Sequence, residues 1–309
     1  MASGDQALKR RCDCDTIQHY TLLLTLHASL KMNITFIGGG NMASAIIGGL
    51  LQRGWDRASL RAVEILPDAR AKLEQSAGIQ TFSNVCAECL HCDCVVLAIK
   101  PQQMREVAAQ LAPHAAHALI ISIAAGIRAS DLSRWLGQNH TGHQRIIRVM
   151  PNTPALVLAG ISGLYALPQV TAADRTSAEN ILGAVGETVW VEREEDIDTV
   201  TAVSGSGPAY VFYFIEALDQ AGRELGLSAE TARKLAIATF TGASKLAAQS
   251  SEDAAVLRAR VTSKGGTTER ALATMKSDAV KSAIVRAVKA AAERSRELGD
   301  QLGSDEARG

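Results

Sequence analysis

The sequence predicts an α/β fold in the N-terminal part of the chain and an all-α domain in the C-terminal part. From Asn33 to about residue 195, short β-branched runs alternate with helical patterns, an order typical of β-α-β units. Beyond residue 196 the chain shows helical patterns and no strand pattern. We therefore divide it into an extension (1–31), an α/β domain (32–195), an all-helical domain (196–302) and a tail (303–309).

Five β-branched runs, bounded by Gly, Pro or Asp, predict five strands of one sheet. Their near-continuous hydrophobicity suits strands that are covered on both faces, and the segments between them are long enough for the crossover helices of a parallel sheet. The runs are NITFIG (33–38), LRAVEI (60–65), CVVLAIK (94–100), ALIISIAAG (118–126) and RIIRVM (145–150). Two later runs, GISGLYAL and GETVWVE, are expected to extend the sheet.

The C-terminal domain contains three helical patterns. The first, at 208–226, has proline at a first-turn position and ends at glycine, as helices often do. Helical periodicity continues over 228–249 and 267–301. The apolar stripe of the first helix exceeds what a domain of about 100 residues needs to cover itself. We therefore expect this domain to pack against a second copy, in a homodimer or a larger homo-oligomer of dimers.

Composition excludes several classes of partner. The 309 residues include 32 Lys and Arg and 32 Asp and Glu, so the net charge gives no indication of a nucleic-acid or anionic-membrane partner. No uninterrupted apolar run approaches the roughly 20 residues that span a bilayer. We expect a cytoplasmic protein that binds neither nucleic acid nor membrane.

Residues 1–31 differ from the rest of the chain. A basic patch, ALKRRCDC, precedes the short apolar stretch TIQHYTLLLTLHASL, which faintly resembles a signal peptide. His27 interrupts the apolar stretch, and Met32 directly precedes the first predicted strand. We expect a dispensable extension rather than an export signal.

A glycine-rich turn joins the first predicted strand to the first helix. FIGGGNMASAI places Gly38, Gly40 and Ala43 in the spacing G-x-G-x-x-A. In Rossmann domains the first position permits the tight turn, the second lets backbone approach a pyrophosphate, and the third allows close helix packing. Glu64 ends the second strand at the distance expected for a ribose contact. The motif predicts dinucleotide binding; a merely structural tight turn is the alternative.

Four cysteines and a histidine crowd into CAECLHCDC, residues 86–94. The spacing of Cys86, Cys89, Cys92 and Cys94 resembles that of a zinc site. Asp93 and Cys94 run directly into a strand, however, where alternating side chains would point the sulfurs in different directions. We expect no metal site and no disulfide here.

The stretch VTSKGGTTERAL, residues 261–272, opens a helix with four hydroxyl side chains and two adjacent glycines. One hydroxyl would suffice to cap the helix, and paired glycines cost helix stability. Free amides at a helix N-terminus also form a site for a small anion. The stretch alone leaves capping and anion binding open.

Two further stretches are rich in turn residues and hydroxyls: RVMPNTPA at 148–155 and VSGSGPAY at 203–210. Together with the glycine-rich turn and the stretch at 261–272, they resemble pyrroline-5-carboxylate reductases from Met32 to about Leu302. The resemblance implies NAD(P)H-dependent reduction of 1-pyrroline-5-carboxylate to L-proline, the last step of proline biosynthesis. A cyclic imine of this kind requires the protein mainly to hold and orient the reactants.

The resemblance also implies site residues. The dinucleotide, NADPH or NADH, would contact Ile37, Gly38, Gly39, Gly40, Asn41, Met42, Asn84, Ala98, Ile99, Lys100, Pro101, Ile123, Ala124 and Ala125. The substrate would contact Glu194, Ser263, Gly266, Thr267 and Thr268. Its carboxylate would lie on the free Gly265 and Gly266 amides and on the helix N-terminus, with the Thr268 hydroxyl at the ring nitrogen as the catalytic contact. The family usually has proline where Lys264 stands. Glu64 would favour a ribose 2′-hydroxyl over a 2′-phosphate, so we expect NADH to be used well.

Three alternatives are weaker. A 3-hydroxyacid dehydrogenase needs a lysine and an asparagine after Gly205-x-Gly207, where this chain has Val211 and Ile215, and alcohol oxidation without that lysine lacks its base. Another imine dehydrogenase with the same two-domain architecture is the second alternative. A non-catalytic dinucleotide sensor has no need of the hydroxyl-rich stretch at 263–268.

Overall fold

A computed structural model of the protein describes residues 32–137 and 141–304; the extension at 1–31 and most of the tail lie outside the described residues. The α/β part contains one eight-stranded sheet in the order β3-β2-β1-β4-β5-β6-β7-β8. The strands are β1 (Ile34–Ile37), β2 (Leu60–Val63), β3 (Gln80–Phe82), β4 (Cys94–Leu97), β5 (Leu119–Ser122), β6 (Ile146–Met150), β7 (Gly160–Ala166) and β8 (Gly186–Trp190). All seven predicted runs form strands, and β3 was not predicted.

Neighbouring strands are parallel, with β6 and β7 as the antiparallel exception. Helices make the crossovers between parallel strands, as the sequence predicts, except between β3 and β4, where residues 83–93 form turns. The helices of this part are α1 (Asn41–Gln52), α2 (Pro67–Ala77), α3 (Met104–Leu111), α4 (Ala129–Leu136) and α5 (Ala172–Gly183). Because β1, β2, β4 and β5 all run the same way, their carboxyl ends meet at one edge of the sheet, where ligands bind in open α/β folds.

Two apolar cores cover the two faces of the sheet. Alternate residues of a strand point to opposite faces, so Phe36 packs in one core with Ile46 and Ile47 of α1. Ile37 packs in the other core with Met104 of α3 and Leu132 of α4. The central strands are buried along their whole length, which explains why their sequences are continuously apolar.

The helical part contains α6 (Asp196–Val200), a π-helical turn (Thr201–Gly205), α7 (Gly207–Glu224), α8 (Ala229–Gln249), α9 (Ala254–Arg260), α10 (Thr267–Ser277) and α11 (Val280–Gly303). The sequence pattern indicated continuous helical periodicity over 267–301, and this expectation is wrong. Ala279 adopts a left-handed conformation with φ of 52° and separates α10 from α11. A periodic pattern cannot reveal such a break, because no Gly or Pro marks it.

The chain divides into two compact units, residues 198–295 and the remainder. The end of α11 belongs to the α/β unit, although the sequence analysis placed 196–302 wholly in the helical domain. Arg134 of α4 donates to the Gly303 carbonyl at 3.0 Å, and Leu302 packs on the core beside α4. No helix in the described part of the chain combines the length and apolarity needed to cross a membrane.

Candidate active site

The glycine-rich turn between β1 and α1 has the backbone that the sequence predicts. Gly38 has φ of +98°, and an added Cβ would lie 2.5 Å from the Ala98 carbonyl oxygen, so only glycine fits there. Gly40 is the N-cap of α1, and a Cβ added to it would meet nothing within 4 Å. The amides of Asn41 and Met42, in the first helical turn, have no intrahelical partner. This open, amide-lined helix end suits a pyrophosphate.

A cavity of about 530 Å³ lies over this turn, at the carboxyl ends of β1, β2 and β4. Its size is within the range of sites for small molecules and cofactors. Eight of the sequence-predicted dinucleotide residues line it: Ile37, Gly38, Gly40, Glu64, Asn84, Ala98, Ile99 and Lys100. The chemistry of the lining, with a glycine turn at one wall and apolar side chains at others, fits a dinucleotide.

The other predicted dinucleotide residues lie beside this lining or at the next strand end. Gly39 and Pro101 are sequence neighbours of lining residues, and Pro101 begins a 3-10 turn, Pro101–Gln103. The segment Ile123–Ala125 follows β5, where the Ile123 amide donates to the Leu97 carbonyl at 3.1 Å. Eight further residues line the cavity and were not predicted from the sequence: Val63, Ile65, Leu66, Val85, Gln103, Glu106, Val107 and Gln110. The helical spacing of Gln103, Glu106, Val107 and Gln110 was an available signal.

The Glu64 carboxylate is held by two backbone amides. Oε2 accepts from Gly39 N and Oε1 from Leu66 N, both at 2.9 Å. Arg70 of α2 donates from Nη1 to the Glu64 carbonyl at 2.9 Å and to the Ile65 carbonyl at 3.3 Å. Arg61 donates to the His91 carbonyl at 2.8 Å. The two amides belong to the loops after β1 and β2, so Glu64 ties the two loops together.

Glu194, predicted to contact the substrate, lies in a buried ion pair. Its Oε1 is 3.1 Å from Arg148 Nη1, and the same oxygen accepts from the Ala129 amide at the start of α4. The side chains of Arg148 and Glu194 are only 4% and 15% exposed. The carboxylate therefore links the end of β6, the start of α4 and the segment before α6.

The hydroxyl-rich stretch folds into a tight turn before α10. Gly265 has φ of +73°, and Gly266 is the N-cap, without a hydrogen bond from a capping side chain. The expectation of free amides at Gly265 and Gly266 is wrong. Gly265 N donates to Glu269 Oε2 at 2.6 Å, and Gly266 N donates to the Ser263 carbonyl at 3.0 Å.

The amides of Thr267 and Thr268 begin α10 and have no partner within the helix. Of the amides predicted to bind the anion, these two remain as the candidate donors. The Ser263 and Thr267 side chains are exposed, and Thr268 is half-buried. The Thr262 hydroxyl donates to the Arg258 carbonyl of α9 at 2.7 Å, and Gly266, the N-cap of α10, has no side chain with which to cap it.

The buried cysteines of the cluster pack in the two apolar cores, Cys94 in one and Cys89 and Cys92 in the other. Cys89, Cys92 and Cys94 are buried. Burial raises the pKa of the Cys89 thiol to about 11 and raises the pKa of the Cys94 thiol well above its ordinary value. Across residues 32–137 and 141–304, no three His, Cys, Asp or Glu side chains are grouped as metal ligands would be.

The chain is similar to known proteins over both of its units. Residues 194–298 match the family described as "Pyrroline-5-carboxylate reductase dimerisation", and residues 33–126 match the one described as "NADP oxidoreductase coenzyme F420-dependent". The pyrroline-5-carboxylate reductase of Pseudomonas aeruginosa is 45% identical over 271 residues, which cover 87% of this chain and 98% of that protein. The chain belongs to the pyrroline-5-carboxylate reductase family.

Solved structures of the family support the same assignment. The pyrroline-5-carboxylate reductase of Coxiella burnetii superposes with a TM-score of 0.81 at 39% identity, covering 86% of this chain and 98% of that one. The Plasmodium falciparum enzyme, whose structure has NADP bound, gives a TM-score of 0.76 at 29% identity, with coverages of 87% and 98%. The family resemblance inferred from the sequence motifs is thereby confirmed, as is the order of an α/β domain followed by a helical one.

Proposed function

We propose that the protein reduces 1-pyrroline-5-carboxylate to L-proline with NADPH or NADH, as the last step of proline biosynthesis in the cytoplasm. The observation that carries this proposal is the similarity to family members over 98% of the P. aeruginosa relative, which includes both the glycine-rich turn and the stretch at 263–268. No metal is needed for this chemistry, because the protonated imine is already electrophilic at its ring carbon.

The cavity at the carboxyl edge of the sheet supports the assignment of the cofactor. Gly38 and Gly40 leave room for a pyrophosphate on the first turn of α1, and the amides of Asn41 and Met42 would bind its oxygens. When bound, the reduced nicotinamide supplies the hydride that the imine carbon accepts. The residues of this unit bind and orient the cofactor.

The turn before α10 supports the assignment of the substrate carboxylate. The amides of Thr267 and Thr268 are the donors that remain once Gly265 and Gly266 are satisfied within the turn. Ser263 adds a hydroxyl, and Lys264, exposed beside it, adds a positive charge. Gly266 shapes the turn, since a Cβ there would lie 3.1 Å from the Ser263 carbonyl oxygen.

The Thr268 hydroxyl is the proposed catalytic contact. It would bond the ring nitrogen, which changes from iminium to amine as the hydride arrives, so this bond matters most near the transition state. Glu194 was also predicted to contact substrate. Its bonds to Arg148 and to the Ala129 amide favour a positioning role for it instead.

We also propose that the functional protein is a homodimer or a larger homo-oligomer of dimers. In the helical unit, residues 198–295, the buried apolar residues are three alanines: Ala202, Ala232 and Ala236. Large apolar side chains are exposed instead, including Phe212, Tyr213, Leu235, Ile237, Leu246 and Val261. Exposed apolar area on this scale marks a protein interface.

The direct test mixes the protein with NADH or NADPH and adds 1-pyrroline-5-carboxylate. We expect the absorbance of the reduced nicotinamide to fall and L-proline to appear in an equimolar amount, measured by chromatography. Cofactor binding without oxidation would favour a dinucleotide sensor and contradict the proposal.

A further inference from the structure

We propose that Glu64 makes this chain select NADH over NADPH by fixing a negative charge at the adenosine-ribose end of the cavity. The proposal rests on the proposed function only in requiring that the cavity hold a nicotinamide dinucleotide. It goes further in choosing between two cofactors that differ by one phosphate on the ribose.

Two backbone amides hold the Glu64 carboxylate in place. A surface glutamate can rotate into water when an anion approaches. Here each carboxylate oxygen accepts a backbone amide at 2.9 Å, one from Gly39 and one from Leu66. Moving the side chain would leave both amides without their acceptors, at a cost typical of lost charge-assisted hydrogen bonds.

Glu64 directly follows β2 and lines the cavity, and in Rossmann folds an acidic residue at this place lies at the ribose 2′-oxygen. Each carboxylate oxygen keeps lone pairs beyond its amide bond, so the group still accepts from a 2′-hydroxyl. A 2′-phosphate would bring a second negative charge against it.

Ile65 and Leu66 line the same part of the cavity and are 64% and 60% exposed. Their apolar side chains offer a phosphate neither a hydroxyl nor a positive charge. Exposed apolar side chains here are suited to packing on an adenosine.

Two cations have to be weighed against this interpretation. Lys100 lines the cavity beyond β4, and β1 lies between β2 and β4 in the sheet, so Lys100 is roughly two strand spacings, about 10 Å, from the Glu64 side. Arg70 is closer, because its Nη1 bonds the carbonyl oxygens of Glu64 and Ile65. Its guanidinium holds the turn that contains Glu64. Of the two cations, it is the one better placed to attract a 2′-phosphate and so to oppose the preference for NADH.

The test is a binding titration that needs no turnover. Nicotinamide fluorescence gives the dissociation constants of NADH and NADPH for the wild-type protein and for Glu64→Gln. We expect the wild type to bind NADH at least about 10-fold more tightly, a difference of about 1.4 kcal/mol. Glu64→Gln should abolish that preference by tightening NADPH and weakening NADH.

Glu106→Gln is the matched control, because Glu106 lines the same cavity and the substitution removes the same charge at a different place. It should leave the ratio of the two dissociation constants unchanged within about 3-fold. Equal effects of the two variants on this ratio would mean that overall cavity charge, and not Glu64, sets the preference. Arg70→Gln adds a further arm: a selective loss of NADPH affinity would show that Arg70 holds the 2′-phosphate and would overturn the proposal.

A second measurement keeps the proposal testable if Glu64→Gln fails to fold. Calorimetry on the wild-type protein compares ADP-ribose with 2′-phospho-ADP-ribose, which lack the nicotinamide. Tighter binding of ADP-ribose is the expected result, and tighter binding of the 2′-phosphorylated ligand would contradict the role of Glu64. A protein that fails to make proline but keeps this discrimination would refute the proposed function alone.

Discussion

Strands β1, β4 and β5 are buried along their whole length, whereas none of the 18 residues of α7 is buried. The sequences of both regions are strongly apolar. The α/β unit therefore buries its apolar side chains within one chain, and the helical unit does not. The difference indicates that the core of the α/β unit is complete in one protomer, whereas the helical unit leaves apolar side chains for a second copy to cover.

The largest effect is expected from breaking the interface of the helical unit. Phe212 is 65% exposed on α7, and Phe212→Glu would place a charge in the proposed interface, where aromatic residues often dominate binding energy. We expect a monomer at micromolar concentration by light scattering and a loss of turnover of at least about 100-fold. NADH affinity of the α/β unit should change by less than about 3-fold.

Glu216→Gln on the same helix is the control for Phe212→Glu, since it alters an exposed polar residue and should leave assembly and turnover intact. A fully active monomeric Phe212→Glu protein would show that the exposed apolar side chains have no role in assembly.

The next effect concerns the substrate contact in the helical unit. Thr268→Val keeps the β-branched shape and removes the hydroxyl, so the turn before α10 should still fold. An oriented hydrogen bond in a closed site is worth roughly 2–4 kcal/mol, so kcat should fall about 30- to 1000-fold. Steady-state kinetics measure this, and KM should rise only modestly because the backbone amides remain.

Ser263→Ala provides the comparison for Thr268→Val, because it removes a hydroxyl that would bind the carboxylate equally in the ground state and the transition state. It should act mainly on KM. Near-normal kcat with a collapsed affinity in Thr268→Val would make Thr268 a carboxylate ligand and remove its catalytic role.

The smallest effect on turnover is expected inside the α/β unit. Glu194→Gln removes the carboxylate that pairs with the buried Arg148 guanidinium. We expect the free energy of unfolding, measured in urea, to fall by about 3 kcal/mol. Asp196→Asn breaks the exposed Arg193–Asp196 pair and should change stability little. If Glu194→Gln instead raises KM for the imine and leaves stability unchanged, Glu194 is a substrate ligand after all.

The sequence predicts the elements of the α/β unit well, because its buried strands and the turn at Gly38 and Gly40 leave clear local patterns. It does not predict β3, a three-residue edge strand too short to show an alternation. It also misses the break at Ala279, a left-handed residue that no Gly or Pro marks in the sequence. The family motifs predicted where the cavity lies, and eight of the residues predicted to contact the dinucleotide line it.

The sequence does not reveal how the polar groups of the site are already engaged. Gly265 and Gly266 suggest free amides, yet Glu269 and the Ser263 carbonyl occupy them. The bonds of Glu64 to Gly39 and Leu66 are equally invisible, because they depend on one side-chain conformation. Local composition shows which donors and acceptors a segment has, and the folded structure decides which remain available.

The most direct test of the account follows the hydrogen itself. NADH carrying deuterium at both C4 positions of the nicotinamide is incubated with the protein and 1-pyrroline-5-carboxylate, and the proline is analysed by mass spectrometry and NMR. The account predicts one deuterium per proline, bound to ring carbon C5. Proline without deuterium, or no proline while the labelled cofactor is bound, would contradict hydride transfer from the nicotinamide to the imine.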